Sequence, residues 1–250
     1  MMRMTHWLRA WTRWLALVVL CGLGLQVFFL ARIASMRYID PVSTTFQRSE
    51  AWRLAHSSEG LRWRQDWVAS SAHPNHIKRA VIASEDDVFA KHGGVQWDAI
   101  EKAWSRNARA IARAQARAQA QSGQAPHAKI VGGSTITQQL AKNLFLSGER
   151  SLWRKGQELV LTLALEHLLG KDRILAIYLN SVEWGEGVFG IEAASQHYFR
   201  HTASQLNAWE SARLAVMLPR PKYYEKFARS PYLAGRAQTI LTRMPQVELP

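Results

Sequence analysis

The longest apolar stretch of the chain lies close to its N-terminus. Residues 14–31 carry no charge, and Gln26 is their one strongly polar residue. At about 1.5 Å of rise per residue, a helix of this length just spans a bilayer core of about 30 Å. Trp7, Trp11 and Trp14 lead into it like an interfacial aromatic belt, and Arg13 and Arg32 bracket it. A cleaved signal peptide is the alternative. Arg32 would then hold the −3 position for cleavage after Ala34, where a small residue is wanted, so the pattern favours an uncleaved anchor. Arginines on the two flanks nearly balance, which leaves the orientation open on charge alone.

Beyond the anchor the pattern changes. Residues 32–72 interleave arginines with Tyr38, Phe46, Trp52, Trp63 and Trp67, and read as a juxtamembrane connector with an interfacial role. From Asn75 onward helical spacing dominates. Ile77, Ala80, Val81 and Ser84 share a face, as do Trp97, Ile100 and Trp104. Leu159 and Leu163 with Glu166 and His167, and Ile174 with Ile177 and Tyr178, give two further amphipathic runs. Alternating Val, Ile and Thr are scarce, so the fold class is mostly α with few strands. Residues 105–125 are rich in Ala, Arg and Gln, with Arg106, Arg109, Arg113 and Arg117 on one helical face. That stretch reads as a solvated helical extension, with a lipid-headgroup contact as the alternative.

Composition narrows the picture slightly. The chain of 250 residues is 48% hydrophobic and carries a formal charge of +13, which suits a packed domain with an anionic partner. A phospholipid surface and nucleic acid both qualify, and a neighbouring membrane span favours the first. Cys21 is the only cysteine, so an internal disulfide is excluded, and no Cys/His spacing suggests zinc.

Two strings concentrate the polar chemistry. Residues 85–94 read Glu-Asp-Asp-Val-Phe-Ala-Lys-His-Gly-Gly, two acids beside an aromatic and a histidine. A carboxylate partly enclosed by apolar groups acquires a raised pKa and can serve as a general base. Residues 132–143 read Gly-Gly-Ser-Thr-Ile-Thr-Gln-Gln-Leu-Ala-Lys-Asn, in which Ser134 or Thr135 can cap a helix whose exposed amides favour anions. Downstream come Arg150, Arg154, Lys155 and Glu158, and then Tyr178-Leu-Asn180 followed by Gly185, Gly187 and Gly190. Arg154 and Glu158 are four apart and could be a simple intrahelical ion pair.

These blocks, in this order, resemble the family 51 glycosyltransferases, the peptidoglycan transglycosylases. Glu210-Ser-Ala-Arg-Leu-Ala and Leu218-Pro-Arg-Pro221 add a fifth block, so the resemblance spans roughly residues 75–224. No Ser-x-x-Lys, Lys-Thr-Gly or Lys-Ser-Gly occurs, so the resemblance is to the monofunctional biosynthetic enzymes and not to bifunctional penicillin-binding proteins. There are two departures: the long Arg/Ala/Gln stretch, and Arg200 where many members have glycine.

The resemblance implies a lysozyme-like, mostly α transglycosylase domain preceded by one transmembrane helix. The expected divisions are a cytoplasmic N-terminus at 1–13, the span at 14–31, the connector at 32–72 and the domain at 73–250. It implies lipid II and the nascent glycan strand as substrates, with membrane lipids and other cell-wall synthesis proteins as partners and no nucleic acid. It assigns Glu85 as catalytic base and Glu158 as the second catalytic glutamate, with Ser134, Thr135, Gln138, Lys142, Arg150 and Arg154 contacting substrate. Asp86, Phe89, His92, Gly94, Lys155, Tyr178 and Asn180 would support the motifs. No cofactor is required and no protein metal site is expected, while a divalent ion such as Mg²⁺ would be free to assist. Lipid II is used on the outer face of the bacterial inner membrane, which would put the domain in the periplasm. A lysozyme-like lytic hydrolase and a catalytically silent scaffold of cell-wall synthesis are the alternative functions.

Overall fold

The computed structural model describes residues 2–58, 60–98, 101, 105, 108–110, 112, 133–149 and 151–250, with the side chains of residues 2–10 left aside. Most of the Arg/Ala/Gln stretch, including Arg106, Arg113 and Arg117, lies outside the described residues, as do Ile100, Trp104 and Arg150. Helix α1 runs from Met2–Ser35, α2 from Thr45–Ala55, α3 from Asn75–Glu85 and α4 from Ile136–Phe145. Then follow α5 (Leu152–Leu168), α6 (Lys171–Ser181) and α7 (Ile191–Phe199). The C-terminal region adds α8 (Ala208–Met217), α9 (Pro221–Lys226) and α10 (Pro231–Arg243).

Local chemistry sets these boundaries. Thr44 with Gln47, Thr135 with Gln138 and Asn207 with Glu210 form capping boxes at the starts of α2, α4 and α8. Ser151 and Ser230 cap α5 and α10, and Pro221 and Pro231 occupy first-turn positions. Helix α6 is buried at every position from Ile174 to Ser181, so it has almost no solvent face and serves as the core of the domain. Helix α4 packs against α5, α2 and α6, while α8 packs against α3 and α10.

The strands are short. β1 (Arg64–Gln65), β2 (Glu183–Gly185) and β3 (Val188–Phe189) form one sheet in the order β1-β3-β2, with β1 parallel and β2 antiparallel to β3. Strand β1 comes from the segment expected to be a connector. That segment is built into the domain: Ile33 and Met36 are buried in its core, and Gln47 donates to the Ser181 carbonyl at 3.2 Å. The connector reading rested on exposed-looking arginines, which alternate with the residues that pack.

Helix α1 also exceeds the expected span. It is continuous from Met2, and its stretch Trp11–Ser35 is long and apolar enough to cross a membrane, with mean hydropathy 2.3. Leu163, which helical spacing placed on a packed face, is half exposed together with Val160. Leu152 and Trp153 on the same helix are almost fully exposed. Trp97 is exposed as well.

Two positions show the backbone at its tightest. Gly187 has φ +70°, and a Cβ there would lie 1.9 Å from the Arg62 carbonyl oxygen, so only glycine lets β1 close on the hairpin. Arg200 is the one non-glycine residue at positive φ among the described residues, with φ 67° at the C-cap of α7. The left-handed C-cap favours glycine, so the arginine here holds a backbone conformation that costs it energy. Gly187→Ala is expected to cost about 2 kcal/mol or more and to lower the melting temperature by about 5 °C. Arg200→Gly should move stability the other way, by up to about 1 kcal/mol. Thermal unfolding followed by circular dichroism measures both, and shifts of the same sign would contradict this reading of the backbone.

Candidate active site

The site is assembled around a carboxylate that holds two motifs together. Asp86 follows the last residue of α3 and is only 4% exposed. It accepts hydrogen bonds from His92 Nε2 at 2.8 Å, from Gln96 Nε2, and from the backbone amide of Ile136 at 3.1 Å. Ile136 opens α4, so Asp86 serves as an anion at that helix N-terminus. The Gly94 amide donates to His92 Nδ1 at 2.9 Å, which leaves the ring proton on Nε2, facing Asp86. Thr135 Oγ1 completes the link by donating to the Gly94 carbonyl at 2.6 Å. Phe89 is buried beneath the Lys171 ammonium, which sits 4.3 Å above its ring. Asp86, Phe89, His92 and Gly94 thus have structural partners that account for their presence.

This linkage puts Glu85 beside α4. Gln139 Nε2 donates to Glu85 Oε2 at 2.9 Å, and Gln139 Oε1 accepts from the Tyr178 hydroxyl at 2.9 Å. Tyr178 is wholly buried, and burial with the nearby charges of Glu85 and Asp86 raises its pKa, so it remains a donor. The phenol therefore orients the amide, and the amide orients the acid. Burial raises the Glu85 pKa, and the charge of Asp86 adds to this, while hydrogen bonds from Gln139 and Ser84 oppose it. That is the electrostatic setting of a carboxylate suited to accept a proton.

One helical turn further along α4 stands Lys142. Burial of its stem lowers its pKa although its surface is exposed; the Glu158 charge opposes that shift, and Arg154 and Lys155 reinforce it. Glu158 is 3% exposed and held by Arg154 Nη1 at 2.9 Å and by Lys155 Nζ. The Arg154–Glu158 pair is intrahelical, as spacing allows, but its buried carboxylate sets it apart from a solvated surface pair. Glu158 acts as the counter-ion that lets three cations gather on α4 and α5. Together they leave an excess of positive charge suited to a polyanionic group.

The other expected contacts fall as follows. Ser134 is exposed just ahead of α4. Thr135 and Gln138 are buried and joined in the capping box, so the glutamine that reaches Glu85 is Gln139. The signal was available in the sequence: a glutamine three residues after an N-cap threonine is used by the cap, which frees its neighbour. Asn180 holds the Val68 backbone through hydrogen bonds at 3.0 Å in both directions and lies outside this set of polar contacts. Among the described residues no cluster of three His, Cys, Asp or Glu side chains could hold a metal ion. A cavity of about 840 Å³ is lined by Arg53, Trp63, His197 and Lys226 among others and contains neither Glu85 nor Glu158.

A model of the transglycosylase family matches residues 54–245, starting well before the expected boundary at residue 73. A protein of Burkholderia thailandensis named biosynthetic peptidoglycan transglycosylase is 51% identical over 97% of this chain and 90% of its own length. Proteins of the same name from Paraburkholderia xenovorans and Bordetella pertussis are 49% and 45% identical, over 95% and 99% of this chain and 94% and 98% of their own lengths. With its buried acid, its cation cluster and these similarities over nearly its whole length, the chain belongs to the transglycosylase family.

Proposed function

We infer that this protein is a peptidoglycan glycosyltransferase that polymerises lipid II into β-1,4-linked glycan strands. The observation that carries this reading is the polar row along α4, where Gln139 holds an acid of raised pKa from α3 and Lys142, one turn on, faces the cations of α5. Lipid II carries its MurNAc carbon 1 in α linkage to a polyprenyl diphosphate. The acceptor 4-hydroxyl is hardly ionised at neutral pH, so Glu85 takes its proton as the new bond forms. Attack from the face opposite the diphosphate inverts carbon 1 and releases polyprenyl diphosphate with its bonding electron pair. Lys142 and Arg154 meet the charge that grows on that leaving group, and Glu158 orients them. Arg150 joins this set by its motif position. A divalent ion such as Mg²⁺ would act on the substrate diphosphate. A hydrolase cleaving glycan would have no use for the diphosphate-side cations, and a silent scaffold would have no use for the raised pKa of Glu85.

The proposed location is the outer face of the bacterial inner membrane, with α1 as a single-pass anchor and the domain in the periplasm. Support comes from the exposed apolar surface of α1 and from Leu152, Trp153, Val160 and Leu163, which share one side of α5. The net charge of +13 suits an anionic lipid surface. The substrate's lipid tail requires a site close to the bilayer.

Three outcomes test the reading. Glu85→Gln should lower the initial rate of lipid II polymerisation by about 10²–10⁴-fold, the usual contribution of a general base. Glu158→Gln should lose donor-site affinity together with rate. A folded Glu85→Gln protein with a near wild-type rate would assign the proton to another group.

The same Glu85 substitution should affect stability in the opposite sense. Because the folded-state pKa is raised, the group's contribution to stability is fully present below the unfolded pKa and is lost as pH rises through the folded value. Glu85→Gln should therefore melt at a higher temperature than wild type at about pH 7, with the gain vanishing below the unfolded carboxylate pKa of about 4.3. A lower melting temperature at neutral pH would show that the carboxylate is stabilising.

Moenomycin, a phosphoglycolipid resembling the donor, should block polymerisation, and β-lactams should not. Resistance to moenomycin in an active enzyme would count against this donor-site assignment.

A further inference from the structure

Gln26 is the anomaly of the apolar span, and its surroundings give it a role. A primary amide left without partners in hydrocarbon is costly, and leucine would serve an anchor better. Gln26 Nε2 donates to Gln157 Oε1 at 2.9 Å, and Gln157 Nε2 donates back to Gln26 Oε1 at 3.0 Å. This reciprocal pair ties α1 to α5 at the residue next to Glu158.

The pair begins a seam. From Trp11 to Leu30, Gln26 and Phe29 are the only half-buried residues, and Ile33 and Met36 beyond them are buried. Their spacing of three, four and three residues places all four on one helical face. Phe29 meets Phe145 edge-on at 5.3 Å, and the Arg32 guanidinium lies 5.6 Å from the same ring. Phe145 ends α4, one turn after Lys142. Further along, Arg173 secures the end of the seam through the Met36 carbonyl at 2.7 Å and Asp40 at 2.7 Å. The anchor therefore grips both helices that carry the cation cluster, α4 through Phe145 and α5 through Gln157.

We propose that Gln26 is a positioning residue: its amide pair with Gln157 holds α5, and with it Glu158, Arg154 and Lys155, in register with Lys142. The membrane helix is then part of the diphosphate site as well as its tether. This inference rests on the glycosyltransferase reading. Leaving-group charge grows between the bound substrate and the transition state, so loss of register reduces kcat more than it changes KM.

The test uses the full-length protein in lipid vesicles, with initial rates measured over a range of lipid II concentrations. Gln26→Leu makes the span more apolar, so membrane retention should be unchanged while kcat falls about three- to tenfold, as suits one interhelical amide contact. Gln157→Leu should match it, and the double variant should be no slower than either alone, because both remove the same pair. Gln26→Glu keeps the length and, protonated in apolar surroundings, both halves of the pair. It should keep a kcat near wild type. An active wild type alongside a Gln26→Leu variant of equal kcat would overturn the amide clamp and leave the functional reading standing. Additive losses in the double variant, or a Gln26→Glu kcat as low as that of Gln26→Leu, would also overturn it. A wild type unable to polymerise lipid II would overturn both readings.

Discussion

A buried carboxylate must find donors, and the donors that Asp86 finds determine where the candidate catalytic groups stand. Its partners are a neutral histidine, a glutamine side chain and the first amide of α4. The ordering of the chain supplies no reason for α3 to end against α4, since 50 residues separate Asp86 from Ile136. The hydrogen bond across that gap, with the Thr135–Gly94 bond beside it, makes the juncture specific. Glu85 is the residue before Asp86, so satisfying Asp86 delivers Glu85 to the side of Gln139. The support residues of the first motif are accounted for by this junction and need no role in proton transfer.

The two acids of the site are handled in different ways. Glu85 has no cation beside it among the described residues and keeps a raised pKa, which is useful to a base and unfavourable to the fold at neutral pH. Glu158 is more deeply buried but carries two cations, so its charge is neutralised locally and its purpose is to gather positive charge. One arrangement suits a proton acceptor and the other suits the neighbourhood of an anion. Both sit on a rigid frame, because α4 and α5 pack on each other and on the buried helix α6.

Anchor and domain form one packed unit. The seam from Gln26 to Met36 makes the last turns of α1 a wall of the domain, and the exposed apolar side of α5 lies on the helix it grips.

The sequence by itself determined the local features: a helix start at Ser134 or Thr135, the apolar span, the helical run through Ile174, Ile177 and Tyr178 and the identity of the motif acids. Capping, helical period and hydrophobic length act over a few residues, so they can be read along the chain. Even the choice between Gln138 and Gln139 was present in the capping-box spacing. Tertiary structure decided what depends on contacts far apart in sequence. It made residues 32–72 part of the domain by pairing β1 with β3 and burying Ile33 and Met36. It turned Leu163 outward on the helix that docks against the anchor, and it gave Gln26 a partner 131 residues away. Amphipathic spacing indicates that a face is apolar without telling whether protein or lipid covers it. A polar side chain in a span shows a need for hydrogen bonds without telling where they are met, and only the packing of distant segments supplies that answer.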